Sequence, residues 1–157
     1  MYKKVLVTLD GSKLSETALP HAETVARGCK QPQVILLRVV EPVAVPYGEA
    51  ATGISFEQIK AAEAAEKKKA GKYLEKMAAR FTAQGIKTSA KILTGNASEA
   101  IVDFIDKNNI DLVILATHGR SGVSRWIWGS VADRVLRHVC IPVLMARAPG
   151  CGLLYKK

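Results

Sequence analysis

The sequence predicts an α/β protein with a doubly wound, five-stranded parallel sheet of the Rossmann-like type and helices on both faces. Segments of strand length alternate with segments of helical periodicity, an order that favours right-handed crossovers between parallel strands. The central apolar segments are nearly continuous, as is typical of strands covered on both faces. A length of 157 residues suits one domain, for which we expect residues 1–147, with 148–157 as a C-terminal tail.

The first half of the chain contains two strands and two helices. The strands are predicted at residues 5–9 and 34–40, where apolar residues are nearly continuous. A helical stripe runs from Ser12 to Cys29, and Pro20 is expected to bend it or weaken one turn. A long helix rich in Ala, Lys and Glu is predicted at residues 56–81.

The second half begins with a polar strand and a short helix. Residues 87–93 are polar enough to suit a sheet edge. Asn96 and Glu99 form a capping pattern, which predicts that the next helix begins there. The connection at residues 41–54, between the second strand and the long helix, is longer than most and is typical of a lid or a disordered segment.

The chain ends with the clearest central strand, a helix and an edge strand. Residues 111–117 form the apolar central strand, and residues 130–138 form a helix with Val131, Val135 and Leu136 expected to face inward. The last strand is predicted at residues 141–146. Its Pro142 cannot donate to a ladder, which favours an edge position.

Composition excludes several classes of protein. No apolar run reaches the roughly 20 residues of a membrane span, and the apolar run near the N-terminus is too short for a signal peptide. The three cysteines form no metal or disulfide pattern, so we expect reduced thiols in the cytoplasm. The net charge of +9 attracts polyanions, but no aromatic-basic pattern accompanies it. We therefore expect neither a membrane nor a nucleic acid as a partner.

Ligands of doubly wound sheets bind outside the carboxyl ends of the strands, where the strand order reverses. This rule directs attention to residues 10–12 and to the glycine-rich stretch 118–130. Gly119 and Gly122 allow close approach of the backbone to a ligand. Gly129 and Ser130 open a helix whose free N–H groups suit a phosphate, and arginines such as Arg120 can supply countercharge.

Each of these features also has a purely structural interpretation. The stretch from Ser130 to Asp133 fits a capping box, which would explain the serine without a ligand. Asp10 before Gly11 fits a turn; if it meets a nucleotide, a ribose hydroxyl or a bridging Mg²⁺ is the sensible contact. His118 lies beside the expected phosphates, but no nucleophile or orienting acid accompanies it, so no catalytic residue is predicted.

Several separated motifs resemble those of the universal stress protein family. Gly119, nine residues and then Gly129-Ser130 are similar to the glycine signature of its ATP-binding branch, although Ala116 replaces one further glycine. The stretches 4–12, 36–40 and 129–144 also resemble the family. The resemblance covers about residues 2–147.

The resemblance implies a protein that binds ATP, or ADP or AMP, with Mg²⁺ as a candidate companion. Asp10 would lie near the ribose and phosphates, and Val39 would contact the adenine through its backbone. The complete set of implied nucleotide-binding residues is Leu9, Asp10, Val39, Ala116, His118, Gly119, Arg120, Gly122, Gly129, Ser130 and Val131. Gly119 and Gly122 would border the ribose and phosphate path, while Gly129, Ser130 and Val131 would hold the phosphates.

The resulting hypothesis is a stress-response regulator that acts as a homodimer, paired through the edge strand 141–146, with a further protein partner that the sequence does not identify. Two alternatives stay open. The first is a dimeric interaction protein of the same fold that binds no nucleotide, which the alanine at 116 favours. The second is a slow ATPase, although neither a Walker lysine nor a catalytic triad supports an enzyme.

Overall fold

The computed structural model describes residues 2–42, 55–117 and 129–147, and the predicted fold class is confirmed. Its five strands form one parallel sheet in the order β3-β2-β1-β4-β5. The strands are β1 (Lys4–Thr8), β2 (Gln33–Val40), β3 (Thr88–Thr94), β4 (Leu112–Thr117) and β5 (Val143–Arg147). The helices are α1 (Ala18–Gly28), α2 (Phe56–Thr82), α3 (Ala97–Asn108) and α4 (Ser130–His138).

The helices cover both faces of the sheet because the side chains of each central strand alternate between two apolar clusters. Val5, Val7 and Leu36 face the cluster that contains residues of α1 and α2. Leu6 and Leu37 face the cluster that contains residues of α3 and α4. Each central strand is therefore buried on both sides, which explains why its sequence is a continuous apolar run.

The two edge strands lie where their sequences predicted. β3, with its polar sequence, forms one edge and β5 forms the other. β5 begins at Val143, two residues later than the predicted boundary, because Pro142 has no N–H to donate. Its carbonyl nevertheless accepts a hydrogen bond of 3.1 Å from the N–H of Val113, so the contact with β4 starts at this residue.

The first helix differs from its prediction at its start. A single 3-10 turn, Ser15–Thr17, precedes α1, and the α-helix itself begins at Ala18. Pro20 consequently lies in the first turn, where a missing N–H leaves no intrahelical bond unmade. Instead of a bend at Pro20, the chain changes from 3-10 to α geometry just before the proline.

The inward face of α4 was only partly predicted. Val135 is fully buried and Val131 packs against the core, but Leu136 is 41% exposed. The buried positions of this short helix are Ala132 and Val135, three residues apart. Leu136 is turned by about 100° from Val135, which carries it to the solvent side.

Within the three described stretches, no helix is both long enough and apolar enough for a membrane crossing. The tail 148–157 and most of the connection 41–54 lie outside the described residues, so the domain limit at residue 147 stays a prediction.

Candidate nucleotide site

The reversal of strand order occurs between β1 and β4, which are hydrogen-bonded neighbours in the sheet. The chain leaves β1 toward α1 on one face and leaves β4 toward α4 on the other. Crossovers that depart to opposite faces leave a crevice between the carboxyl ends of the two strands. The structure thus brings the turn after β1 close to the start of α4, which contains Gly129 and Ser130, the described end of the second segment that the sequence selected.

A cleft of about 130 Å³ opens at this position. Five of the predicted binding residues line it, and they are Leu9, Asp10, Val39, Ala116 and Val131. Leu37 and Leu115 form apolar wall beside them. One charged group, the carboxylate of Asp10, lies among largely apolar neighbours, a combination that can fix the orientation of a mostly apolar ligand.

The N-terminus of α4 borders this cleft, and its cap differs from the predicted alternative. The N-cap residue is Gly129, which has no side chain to accept from the first N–H groups. Ser130 is the first helical residue and therefore does not cap, and Asp133 pairs with Arg137 at 2.9 Å. The capping-box interpretation of Ser130 is therefore wrong, because that motif needs the serine at the N-cap.

The neighbouring helix α3 provides a contrast. Its N-cap Asn96 accepts hydrogen bonds from the N–H groups of Ser98 (3.1 Å) and Glu99 (3.2 Å) through Oδ1. These donors are satisfied by the protein itself. The first turn of α4 instead keeps N–H groups that no N-cap side chain satisfies, and such groups attract an anion.

Asp10 is held in a turn, as its structural interpretation proposed. Its Oδ1 accepts from the N–H of Ser12 at 2.8 Å. Burial raises the pKa of Asp10, but hydrogen bonds from Ser12 and Ser15 outweigh it, so the pKa lies below its ordinary value. The carboxylate is therefore ionised at neutral pH while it lines the cleft.

Ala116, the departure from the glycine signature, packs away from the wall that α3 and α4 form. It contacts the apolar cluster on the α1 and α2 face, whereas its neighbour Leu115 belongs to the opposite cluster. The methyl group is thus partly accommodated by core packing rather than directed wholly into the cleft.

Comparison with known proteins identifies the family. A sequence profile of the universal stress protein family matches residues 1–147. The chain belongs to the universal stress protein family. The universal stress protein MJ0531 of Methanocaldococcus jannaschii is 34% identical over 149 residues, which cover 95% of this chain and 84% of that protein.

Solved structures of family members have the same fold. The structure of MJ0577, also from Methanocaldococcus jannaschii, superposes with a TM-score of 0.80 at 25% identity and covers 96% of this chain and 99% of that chain. A family protein from Arabidopsis thaliana, solved with AMP bound, superposes with a TM-score of 0.67 at 19% identity. The alignment covers 94% of this chain and 93% of the Arabidopsis chain.

The remaining predicted site residues of this universal stress protein fall into two groups. Gly129 and Ser130 lie at the start of α4, and Ser130 lines a shallow groove that adjoins the cleft and shares Val131 with it. His118, Gly119, Arg120 and Gly122 lie outside the described residues.

Sequence reasoning missed several residues that line the cleft of this universal stress protein. They are Thr8, Ser15, Leu37, Ala97, Ile101, Leu115 and Ala132. Most are small or apolar and look like ordinary core residues in sequence. The predicted start of a helix near Asn96 was the one available signal, since a helix that begins at the carboxyl edge of the sheet must place its first turn beside the ligand site.

Proposed function

We propose that this universal stress protein binds an adenine nucleotide, ATP or its products ADP or AMP, in the cleft between β1 and β4 and acts as a dimeric regulator. The observation that carries the proposal is the uncapped N-terminus of α4 at the mouth of this cleft. The first N–H groups of α4 donate to no N-cap side chain, and together with the positive end of the helix dipole they favour a phosphate.

The residues that line the cleft support the rest of the ligand. Val39 and Leu37 offer apolar surface suited to a purine ring, and both lie on β2, away from α4. Asp10 lies at the end of β1, between β2 and the position of α4. An ionised carboxylate there can accept hydrogen bonds from ribose hydroxyls.

The AMP bound to the Arabidopsis relative supports the same class of ligand, because that protein shares the fold over nearly the whole chain. The fold likeness at 19% identity does not by itself transfer the ligand, so the local chemistry above carries the inference.

A magnesium ion would accompany ATP as part of the ligand. Among the described residues, no group of three or more His, Cys, Asp or Glu side chains is placed to hold a metal. Mg²⁺ commonly binds through one or two carboxylates, phosphate oxygens and water. Asp10 is the residue that would meet it, and the phosphates would supply the other oxygen ligands.

The edge strand β5 supports the proposed dimer. The main-chain groups of successive residues in a strand point to alternate sides of it. The carbonyl of Pro142 bonds to β4, so the N–H and C=O groups of Val143 and Met145 point to the other side, which is the edge of the sheet. The side chains of Val143, Leu144 and Met145 are only partly buried within the chain. A twofold copy that pairs along this edge would cover both the free main chain and these apolar side chains.

Calorimetric titration tests the proposed ligand. We expect one MgATP per subunit and an affinity for adenosine that is at least about tenfold weaker, because adenosine leaves the charge-assisted bonds at α4 unmade. Equal affinity for both would contradict the phosphate role of α4. We also expect no efficient turnover of the bound ATP, which a phosphate-release assay on the same sample measures.

A further inference from the structure

The turn after β1 lies against an arginine that the nucleotide site itself does not explain. Gly11 has a φ of +89°, and a Cβ built on it would lie 2.8 Å from Nη1 and 3.2 Å from Cζ of Arg38. The guanidinium therefore occupies the space into which any side chain at position 11 would project. The left-handed conformation favours a glycine at position 11, and a side chain there would also displace the guanidinium of Arg38.

The guanidinium of Arg38 is itself held by an aromatic ring. Its Cζ lies 5.6 Å from the centroid of the Tyr73 ring, within the range of a cation–π interaction. Tyr73 belongs to the part of α2 that packs on the sheet, next to the fully buried Leu74. Among the described residues, Arg38 has no ion pair or side-chain hydrogen bond, and its contacts there are the Tyr73 ring and the Gly11 turn.

The tyrosine is suited to this role because it stays neutral. Burial raises the pKa of Tyr73 above the ordinary value of a phenol. The ring thus presents an uncharged π-face to the guanidinium at physiological pH, and its stem is anchored in the core rather than in solvent.

The turn needs such support because the sheet ladder stops short of it. The last ladder-type bond of β1 runs from the N–H of Leu9 to the carbonyl of Leu37 at 2.8 Å. Beyond Gly11, Ser12 is fixed by Ser15, whose Oγ donates to the Ser12 carbonyl at 2.8 Å. Asp10 and Gly11 lie between these two fixed points, and the bond from the Ser12 N–H to Asp10 Oδ1 at 2.8 Å is local to the turn itself.

We propose that Arg38, stacked on Tyr73, is a positioning residue that holds the Gly11 turn so that the Asp10 carboxylate meets the ribose of the nucleotide. This inference rests on the proposed function. It adds a side chain, Arg38, that acts on the site from the opposite face of the sheet. Arg38 lies on the α2 side, whereas the next residue of β2, Val39, lines the cleft. The arrangement connects α2 to the nucleotide through a single side chain.

The test uses discrimination between ATP and its 2′-deoxy and 3′-deoxy analogues, which reports the contact between Asp10 and the ribose. We expect the wild-type protein to bind ATP about tenfold more tightly than at least one analogue, and Asp10→Ala to lose the preference. Arg38→Met and Tyr73→Leu should each reduce the preference to about twofold. Tyr73→Phe should keep the wild-type preference for ATP, because the stacking ring is kept.

Lys60→Met is the matched control, because Lys60, like Arg38, is a positively charged side chain that stacks on an aromatic ring. Lys60 Nζ lies 5.3 Å from the centroid of Phe56 at the exposed start of α2, about 20 Å along the helix from Tyr73. This variant should keep the wild-type discrimination. A general effect of removing a stacked charge would appear in both Lys60→Met and Arg38→Met, whereas loss of positioning reduces discrimination in Arg38→Met and leaves Lys60→Met unchanged.

A thermal-unfolding measurement without nucleotide provides a second test. Gly11→Ala should lower the melting temperature less in an Arg38→Ala background than in the wild type, because only the φ strain remains once the guanidinium is removed. An equal loss in both backgrounds would overturn the contact and the proposal with it.

The outcomes separate this inference from the proposed function. A wild-type protein that binds no ATP overturns both. Discrimination that survives Asp10→Ala overturns the positioning role, since Asp10 then does not meet the ribose. Discrimination that is lost in Asp10→Ala but kept in Arg38→Met overturns the positioning role and leaves the proposed function standing.

Discussion

Oδ2 of Asp111 accepts a hydrogen bond of 2.7 Å from the main-chain N–H of Lys4. The same oxygen accepts from the N–H of Lys3 at 2.8 Å. The carboxylate thus fixes the amino end of β1 beside β4, the pair of strands whose carboxyl ends form the proposed nucleotide cleft. Hydrogen bonds from the main chain of Lys4 and Lys3 hold the pKa of Asp111 below its ordinary value.

We expect Asp111→Asn to lower the free energy of unfolding at pH 7 by about 1 kcal/mol, after allowing for solvent screening of this partly exposed group. A lowered pKa stabilises the folded state above the unfolded-state pKa, and this stabilisation is lost as the pH falls through the folded-state value. The difference between wild type and variant should therefore be constant above about pH 5 and shrink below about pH 4. Urea denaturation across this range measures it, and a constant difference down to pH 2 would contradict the account.

Gly129→Leu should weaken MgATP binding at least about tenfold without unfolding the protein. A Cβ at Gly129 meets no described atom within 4 Å, and the leucine side chain would lie at the N-terminus of α4, where the phosphate is proposed to bind. Gly28→Leu is the matched control, because its Cβ is equally unobstructed and the residue ends α1 at the opposite edge of the sheet. Equal affinity for MgATP in the two variants would show that the N-terminus of α4 does not bind the phosphates.

Ala116→Gly tests whether the departure from the glycine signature limits binding. Because Ala116 packs partly against the α1 and α2 cluster, we expect MgATP affinity to change by less than about threefold, or ~0.6 kcal/mol. The free energy of unfolding should fall by about 0.5–1 kcal/mol, since a glycine in a strand costs backbone entropy. A large gain in affinity would instead mean that the methyl group obstructs the nucleotide.

Met145→Pro tests the proposed dimer. The N–H of Met145 points to the open edge of β5, so proline removes a donor from the edge without removing a bond to β4. We expect a monomer by light scattering, while Met145→Val stays a dimer. A dimeric proline variant would show that another surface pairs the subunits.

Most of the fold could be predicted because its physical signals are local. Continuous apolar runs mark strands buried on both faces, and Pro142 marks an edge. The boundaries that moved depend on hydrogen bonds that a single sequence does not display. The late start of α1 follows from the 3-10 turn at Ser15–Thr17, whose Thr17 N–H bonds to Leu14.

The site was less predictable, because one of its main features is a helix N-cap without a capping side chain. Gly129 could be recognised as a glycine, but its position at the N-cap of α4, where it offers no capping side chain, became clear only when Ser130 was found inside the helix. The guanidinium of Arg38 is another example. In sequence it interrupts an apolar strand, and only the fold brings it to Gly11, which is far from it along the chain.

Native mass spectrometry of the freshly purified protein, before and after addition of MgATP, tests the central claim most directly. We predict a dimer that carries one adenine nucleotide per subunit, either as purified or after addition. A dimer that stays empty at millimolar MgATP would contradict the proposed function and would favour an interaction protein of the same fold.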